Sequence, residues 1–460
     1  MKAKIAIIGM GQGGMVAAIK LAAAGADVTV YERRPEGQVS YAWRDDIRLD
    51  IFTKVGLPTP SQDIYVQKPN WLFVAPDWKG SLAVPMLKPM EEVSISRRGL
   101  NEYFVRLATE AGATCLFGQA VSDLWIEDER VVGIVVNGTP VAYDLVVDAS
   151  GMTSPFRGQL PARFGVQAQP ADSDVLVGHR AFFNHAEGAQ TFDPSIHCTM
   201  SVRPEGWEGI AWCNDDPDGD TDVLIARMGS LSAEDIKSML SVFRQHHAIL
   251  GDTLLHSQTV PICLRKGIAR PVADGYVALG DSAFMTIPIM GSGIEASMQG
   301  GQIFADYLSA QAKPDFSAAG MWGFYVEYMR VLGRDFAMLD ALRRCALRWE
   351  PKIFNWAMAG KFLQYKELAY VMQAKGYGKP ALPLGAFLRT LLLLCFKPSV
   401  SFRLWGAVGH ALKARSIAGK IPAKYDEKAL AKWQAKYDGH TAKLDEVTAR
   451  YGRRGRNTKA

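Results

Sequence analysis

The stretch Lys4–Glu32, KIAIIGMGQGGMVAAIKLAAAGADVTVYE, limits the possible folds of this chain more than any other. Ile5, Ile7 and Ile8 read as a short buried strand. Gly9, Gly11 and Gly14 then spell G-x-G-x-x-G, and Met15–Ala24 has the alanine-rich composition of a closely packed helix. Gly25 ends that helix, Val28–Tyr31 is a second strand, and Glu32 stands at its end. Strand, glycines, helix, strand and acid in this order predict a dinucleotide-binding βαβ unit. Gly9 permits the tight turn, Gly11 lets backbone approach a pyrophosphate, and Gly14 lets the helix lie close on the sheet. The helix N-terminus offers N–H groups and partial positive charge to the phosphates. Gly13 within the loop and Arg33 beside Glu32 complete the candidate cofactor contacts at this end.

A second fingerprint lies far along the chain. Gly275–Gly301 reads GYVALGDSAFMTIPIMGSGIEASMQGG. Tyr276–Leu279 is a strand, Gly280 and Asp281 follow at once, and Pro288, Gly291, Ser292 and Gly293 lead into a helix from Ile294 to Leu308. Asp281 at a strand end can hold a polyol hydroxyl. The Gly291–Gly293 turn places backbone N–H groups where negative charge develops on a reduced flavin ring.

Between the fingerprints, Arg97–Ala111 reads as a helix with Leu100, Phe104 and Leu107 on one face. Strands follow at Thr114–Phe117 and Val121–Ile126. Val131–Val136 pairs with Pro140–Tyr143 through an Asn137-Gly138 turn. Asp144–Ala149 is a buried strand ending in Ser150-Gly151. Residues 166–262 alternate strands with polar turns and carry one helix, capped by Ser232, that ends at His246. Residues 44–92, rich in proline and aromatics, read as an excursion towards a substrate pocket. The expected organisation is a discontinuous nucleotide domain (1–43, 93–165, 263–311), a strand-rich substrate domain (44–92, 166–262) and a helical C-terminal region (312–460).

These motifs together resemble the FAD-dependent oxidoreductases of the p-hydroxybenzoate-hydroxylase-like superfamily over about residues 1–310. The matching elements are Gly9–Gly14 with Glu32, Asp148-Ala149-Ser150-Gly151 with Ser154 and Arg157, and Gly280-Asp281 through Gly293. The resemblance implies an α/β fold with a three-layer Rossmann-like FAD domain. It also implies that Arg97 reaches the FAD phosphate or ribityl region and that Val121 meets the adenine. Hydroxylases of this superfamily usually have Asp-Gly where this chain has Ser150-Gly151, His where it has Phe284, and Asn where it has Ile294. The forms present are more similar to the geranylgeranyl-reductase branch, which saturates isoprenoid double bonds. Pro204–Trp207 with Trp212 loosely resembles an element of those reductases. The halogenase W-x-W-x-I-P motif does not occur.

The expected function is therefore hydride transfer from reduced flavin to a carbon–carbon double bond of a hydrophobic, isoprenoid-like substrate, with NAD(P)H a candidate electron donor. A flavin-dependent monooxygenase and a membrane-peripheral electron-transfer flavoprotein are the alternatives. No catalytic residue is assigned. His246-His247 reads as a solvated helix end, and Asp45-Asp46 as a surface pair. His179, His185 and His197 read as structural.

The net charge of +5 over 460 residues gives no reason to expect nucleic acid. Six scattered cysteines without a CxxC pair predict neither disulfides nor a metal site, and fit a cytoplasmic protein. The N-terminus enters a strand directly, without a signal peptide. The C-terminal region reads as helices at Met321–Phe336, Met338–Trp349, Ile353–Leu368, Leu382–Cys395 and Val400–Leu412, then a frayed basic tail from Arg450. Its apolar faces flanked by Arg and Lys are candidates for packing on the flavin domain or for peripheral contact with a membrane surface.

Overall fold

The computed structural model describes residues 2–67, 70–84, 92–189, 196–216, 218–359 and 396–454. At its centre is a six-stranded sheet in the order Val272–Ala273, Tyr276–Ala278, Leu145–Asp148, Lys4–Ile8, Asp27–Tyr31, Thr114–Leu116. All neighbours run parallel except the first pair. Buried on both faces, its strands are continuous apolar runs rather than alternating ones, as the burial of Ile5, Ala6, Ile7, Leu145, Val146, Val147 and Val277 shows.

The helices Gln12–Ala23, Arg97–Glu110 and Ile294–Ser309 form one layer against this sheet. Small residues set their spacing. A Cβ on Gly14 would stand 2.6 Å from Ala149 Cβ, and one on Gly301 would stand 2.1 Å from the Gly13 carbonyl oxygen. The helix after the glycine loop therefore touches both the sheet and the helix after the second fingerprint almost backbone to backbone. A meander of Val121–Glu127, Arg130–Val136 and Thr139–Ala142 makes a further layer. Asn137 and Gly138 take φ of 51° and 75°, the left-handed pair that a two-residue hairpin demands.

A seven-stranded sheet stands beside this unit. Its order is Leu250–Cys263, Val175–His185, Thr221–Met228, Gly209–Asp215, Ile196–Val202, Asn70–Val74, Ser81–Val84. Two-residue periodicity divides its faces. Ala181, Phe183, Val223 and Ile225 pack under Met239 and Phe243 of the helix Ala233–His246. Arg180, Asp222 and Leu224, one residue out of step, line a chamber on the other face. Ser232 and Asp235 close a reciprocal capping box at the start of that helix. The excursion 44–92 supplies two strands to this sheet. It also supplies Arg44–Arg48 and Tyr65–Gln67, which pair with Glu92–Ser96 in a small fourth sheet.

Several expectations need correction. Leu250–Cys263 is a 14-residue edge strand that the polar sequence concealed. The break in the C-terminal helices falls at a π-helical turn, Met329–Gly333, between Ala318–Tyr328 and Arg334–Ala346. Glu427–Arg454 is one 28-residue helix, so the first residues of the expected tail are helical. His247 is not solvated: it is buried against Trp78 and Phe243, and burial pulls its pKa down to about 4. The expected helix Leu382–Cys395 and the end of Ile353–Leu368 lie outside the described residues.

Pro398–Ala418 and Glu427–Arg454 pack back on the body of the protein. Tyr437 OH donates to the Gly267 carbonyl at 3.1 Å, and Trp433 Nε1 donates to the Ile417 carbonyl at 2.9 Å. Among the described residues no helix is long and apolar enough to cross a membrane.

Candidate flavin and substrate site

Both fingerprints end in helices with no side-chain cap at their N-termini, at Gly11 and Gly293. These helices pack on one another. Their first-turn N–H groups are thus available for anionic groups from two directions. Gly9 has φ of 90° and makes the turn. A Cβ on Gly11 would meet only the Ala149 carbonyl oxygen, at 3.1 Å, so the loop's outer side is open. Gly13 is buried, and a Cβ there would stand 2.8 Å from the Ser297 carbonyl oxygen. Its small size therefore serves helix packing, a role the sequence did not suggest.

Glu32 ties this end together. Its carboxylate accepts from Met10 N–H at 3.2 Å and Arg34 N–H at 2.9 Å, while its carbonyl accepts from Gln119 N–H at 2.8 Å. Val121, half-buried, begins its strand two residues after Gln119. The side chain of Arg33 is exposed. Its neighbour Arg34 turns inward, donating to the Ser40 carbonyl at 3.2 Å.

The second fingerprint opens on the chamber. Gly280 has φ of 63° and Gly291 φ of 72°. Asp281 sits deep among protein atoms, yet its side chain faces the open chamber, and burial raises its pKa. Thr286 Oγ1 donates to Asp281 Oδ1 at 2.9 Å, and a Cβ on Gly293 would crowd that same oxygen at 3.0 Å. Pro288 is buried behind the turn, and Ser292 and Ile294 line the chamber with Gly291 and Gly293. Arg97 lines it as well, donating to Ser40 Oγ and Asp45 Oδ2, each at 3.3 Å.

Asp148 and Arg157 hold the two fingerprints in register. Ser282 Oγ donates to Asp148 Oδ1 at 3.1 Å and accepts from Gly151 N–H at 3.0 Å. Arg157 is buried. It donates to the Ser282 carbonyl at 2.9 Å and the Met152 carbonyl at 2.6 Å, with its guanidinium 4.9 Å from the Phe284 ring centroid.

The chamber has a volume of about 480 Å³. Its walls include Trp71, Phe73, Met200, Leu224, Met290 and Phe354. One buried ion pair interrupts them: Arg180 is clamped by both oxygens of Asp222 at 2.8 Å, and its third nitrogen meets Asp45 at 2.8 Å. Asp45 thus bridges Arg97 and Arg180 on the chamber wall, a correction to the surface role expected for the Asp45-Asp46 pair. Tyr41 stacks on Trp43 at 4.3 Å, beneath Arg97, and its phenol is pushed to a higher pKa chiefly by burial. No signal in the sequence singled out Tyr41, because its neighbours carry no motif. His179 bonds Thr259 at 2.9 Å and His185 lies 3.4 Å from Asp215, so neither lines the chamber. The side chain of His197 lies outside the described residues. Among the described residues no cluster of ligating side chains could hold a metal ion.

The residues present fit FAD: two uncapped helix starts, glycines without room for a Cβ, an acid beside the loop, and an acid open to a chamber large enough for a ring system and a substrate. No family model matches the chain. It is 22% identical over 450 residues, 95% of this chain and 97% of the relative, to a digeranylgeranylglycerophospholipid reductase of Sulfolobus acidocaldarius. It is 21% identical to the asperlicin C monooxygenase of Petromyces alliaceus, over 69% of this chain and 74% of that one. Among solved structures, a geranylgeranyl bacteriochlorophyll reductase-like protein from Thermoplasma acidophilum shares the fold. Its TM-score is 0.68 at 16% identity, over 97% of this chain and 99% of that one. The flavin-dependent brominase Bmp2 superposes with a TM-score of 0.61 at 18% identity, over 85% and 98% of the two chains. With the glycine loop, the second turn and these relatives in agreement, the chain is an FAD-dependent oxidoreductase similar to the geranylgeranyl-reductase branch of that superfamily.

Proposed function

We propose that this enzyme reduces a carbon–carbon double bond in a hydrophobic, isoprenoid-like substrate. The observation that carries this reading is the chamber itself, walled by aromatic and aliphatic side chains and opening on Asp281 and the Gly291–Gly293 turn. The similarity of the chain to digeranylgeranylglycerophospholipid reductases supports it. When bound, reduced FAD supplies the hydride.

The chain's own residues do the rest. The glycine loop and Glu32 hold the adenosine half of the cofactor, with Val121 beside the adenine. Arg97, Asp281 and the turn through Ile294 hold the ribityl and ring half. The apolar walls orient the alkene and keep water away from it. Tyr41 Oη gives a proton to the alkene carbon that does not receive the hydride. Hydride and proton together add two hydrogens across the bond, and solvent returns the proton to the phenolate. Burial raises the pKa of this phenol, so it carries its proton at neutral pH but is a weaker acid than a free tyrosine.

NAD(P)H is the proposed source of electrons. The enzyme works in the cytoplasm, at a membrane surface that presents its substrate. Phe396, Phe402 and Leu412 at the C-terminal helices are 80%, 69% and 57% exposed, which suits an apolar contact in the interface.

Anaerobic reduction of the FAD-loaded protein, followed by rapid mixing, tests the reaction. Reoxidation by a polyprenyl alkene without oxygen is expected. Reoxidation that requires oxygen and yields an oxygenated product would make the enzyme a monooxygenase. Electron delivery to a quinone or a protein alone would make it a relay.

A further inference from the structure

Arg97 is the first residue of the helix Arg97–Glu110, and its backbone N–H donates to the Trp43 carbonyl at 3.0 Å. The strand Arg44–Arg48 pairs antiparallel with Glu92–Ser96, with Asp45 opposite Ile95. Backbone register thus carries Asp45 to the start of that helix. A guanidinium there meets the positive end of the helix dipole, an unfavourable place for a cation. Three groups hold it nonetheless. Asp45 Oδ2 accepts from Nη1 and Ser40 Oγ from Nε, each at 3.3 Å, and the guanidinium carbon lies 5.6 Å from the Tyr41 ring centroid. Among the described residues Nη2 has no hydrogen-bond partner. Arg97 lines the chamber with Asp281 and Gly291–Gly293. Its charge is felt there: burial raises the pKa of Asp281, while the Thr286 hydroxyl and Arg97 pull it back down.

Asp45 is held from behind. Its Oδ1 accepts from Arg180 Nη1 at 2.8 Å, and Arg180 gives Nε and Nη2 to the two oxygens of Asp222 at 2.8 Å. Charge therefore alternates along the row Asp222, Arg180, Asp45, Arg97, and each guanidinium is matched by a carboxylate. Arg180 has a partner on every nitrogen, so Arg97 is the member with a donor left for a ligand. A buried ion pair adds little net stability, because desolvation offsets the attraction. What the row does fix is where each charge stands.

We propose that Asp45 is a positioning residue for the flavin: it holds Arg97 against the ribityl and ring half of FAD and, by balancing that cation, keeps the flavin's reduction potential low. Reduction adds negative charge to the ring. A guanidinium already matched by a carboxylate stabilises that charge less than a bare one, and at these distances in a partly buried site the difference is large. The proposal rests on FAD as the cofactor and is independent of which substrate is reduced.

Anaerobic dye equilibration of the FAD-loaded full chain reads the midpoint potential without substrate. Asp45→Asn keeps the size of the side chain and removes the charge. It should shift the balance of reduced to oxidised flavin about tenfold towards reduced, a rise of about 30 mV for a two-electron couple. Arg97→Gln should lower the potential. In the Arg97→Gln background the shift caused by Asp45→Asn should shrink by at least half, because Asp45 acts through Arg97. An unmoved potential in Asp45→Asn that retains its flavin would leave Asp45 a merely structural residue and overturn the proposal. An equal shift in both backgrounds would do the same, since Asp45 would then act on the flavin directly. If Asp45→Asn loses its flavin, Arg97→Gln is read alone, and an unchanged potential there overturns the proposal. A protein that shows these shifts yet reduces no alkene would sink the reaction and leave the role of Asp45 standing.

Discussion

Tyr276 OH donates to the Asp148 carboxylate at 2.6 Å, between adjacent parallel strands and wholly out of water. Each strand leads into a different flavin motif, so this bond keeps the Ser150-Gly151 turn level with Gly280-Asp281. Tyr276→Phe removes one charge-assisted bond and leaves the ring. The expected cost is about 1.5–3 kcal/mol of stability in denaturant unfolding of the loaded protein. An unchanged unfolding midpoint would contradict the clamp.

Gly11→Val places a branched side chain where the loop's outer side is open, and Glu32→Ala removes the acceptor beside it. Both should lower FAD retention on gel filtration, Glu32→Ala by about tenfold in affinity. Full retention by both variants would remove the loop from the cofactor site.

Tyr41→Phe keeps the stacking on Trp43 and deletes the proton. Reduction of the flavin should be unaffected. Reoxidation by the alkene should slow by about 10²–10⁴, and the solvent isotope effect on that step should vanish. A variant with the original reoxidation rate and isotope effect would clear Tyr41 of the role.

Lys266 is buried under Tyr437, with its ammonium 3.6 Å from the ring centroid, and burial lowers its pKa to about 7 from an ordinary 10.5. Between those values the unfolded chain holds the proton and the folded chain does not. Unfolding therefore takes up a proton there, and stability must rise with pH. Relative to Lys266→Met, the unaltered protein should gain melting temperature from pH 7 to pH 10. Parallel melting curves across that range would refute the assignment.

Phe396→Ser with Phe402→Ser removes two exposed rings without touching the buried faces of the C-terminal helices. If these rings enter a lipid interface, flotation with anionic liposomes should fall by roughly tenfold per ring. Equal flotation of both proteins, or none by either, would remove the membrane contact.

The cofactor half of the molecule was legible in the chain because its residues answer to local rules. A glycine at Gly9 is required by a positive φ, and Asn137-Gly138 by a two-residue hairpin. These demands act within a few residues, so they leave a pattern in the sequence. The edge strand Leu250–Cys263 was not legible, since residues 252–259 are exposed and an exposed strand needs no apolar alternation. His247 beside Trp78 and Asp45 between Arg97 and Arg180 escaped notice for a related reason: their partners lie far away in sequence.

By itself, then, the sequence determined a βαβ nucleotide unit, a second turn for the rest of the flavin, and the class of cofactor. Backbone geometry and close helix packing allow few other residues at those positions. Only the tertiary structure decided what the flavin faces. The chamber draws its walls from segments as distant as Tyr41, Trp71, Arg180, Asp281 and Arg343, and no local rule links residues whose only relation is that they close around the same space.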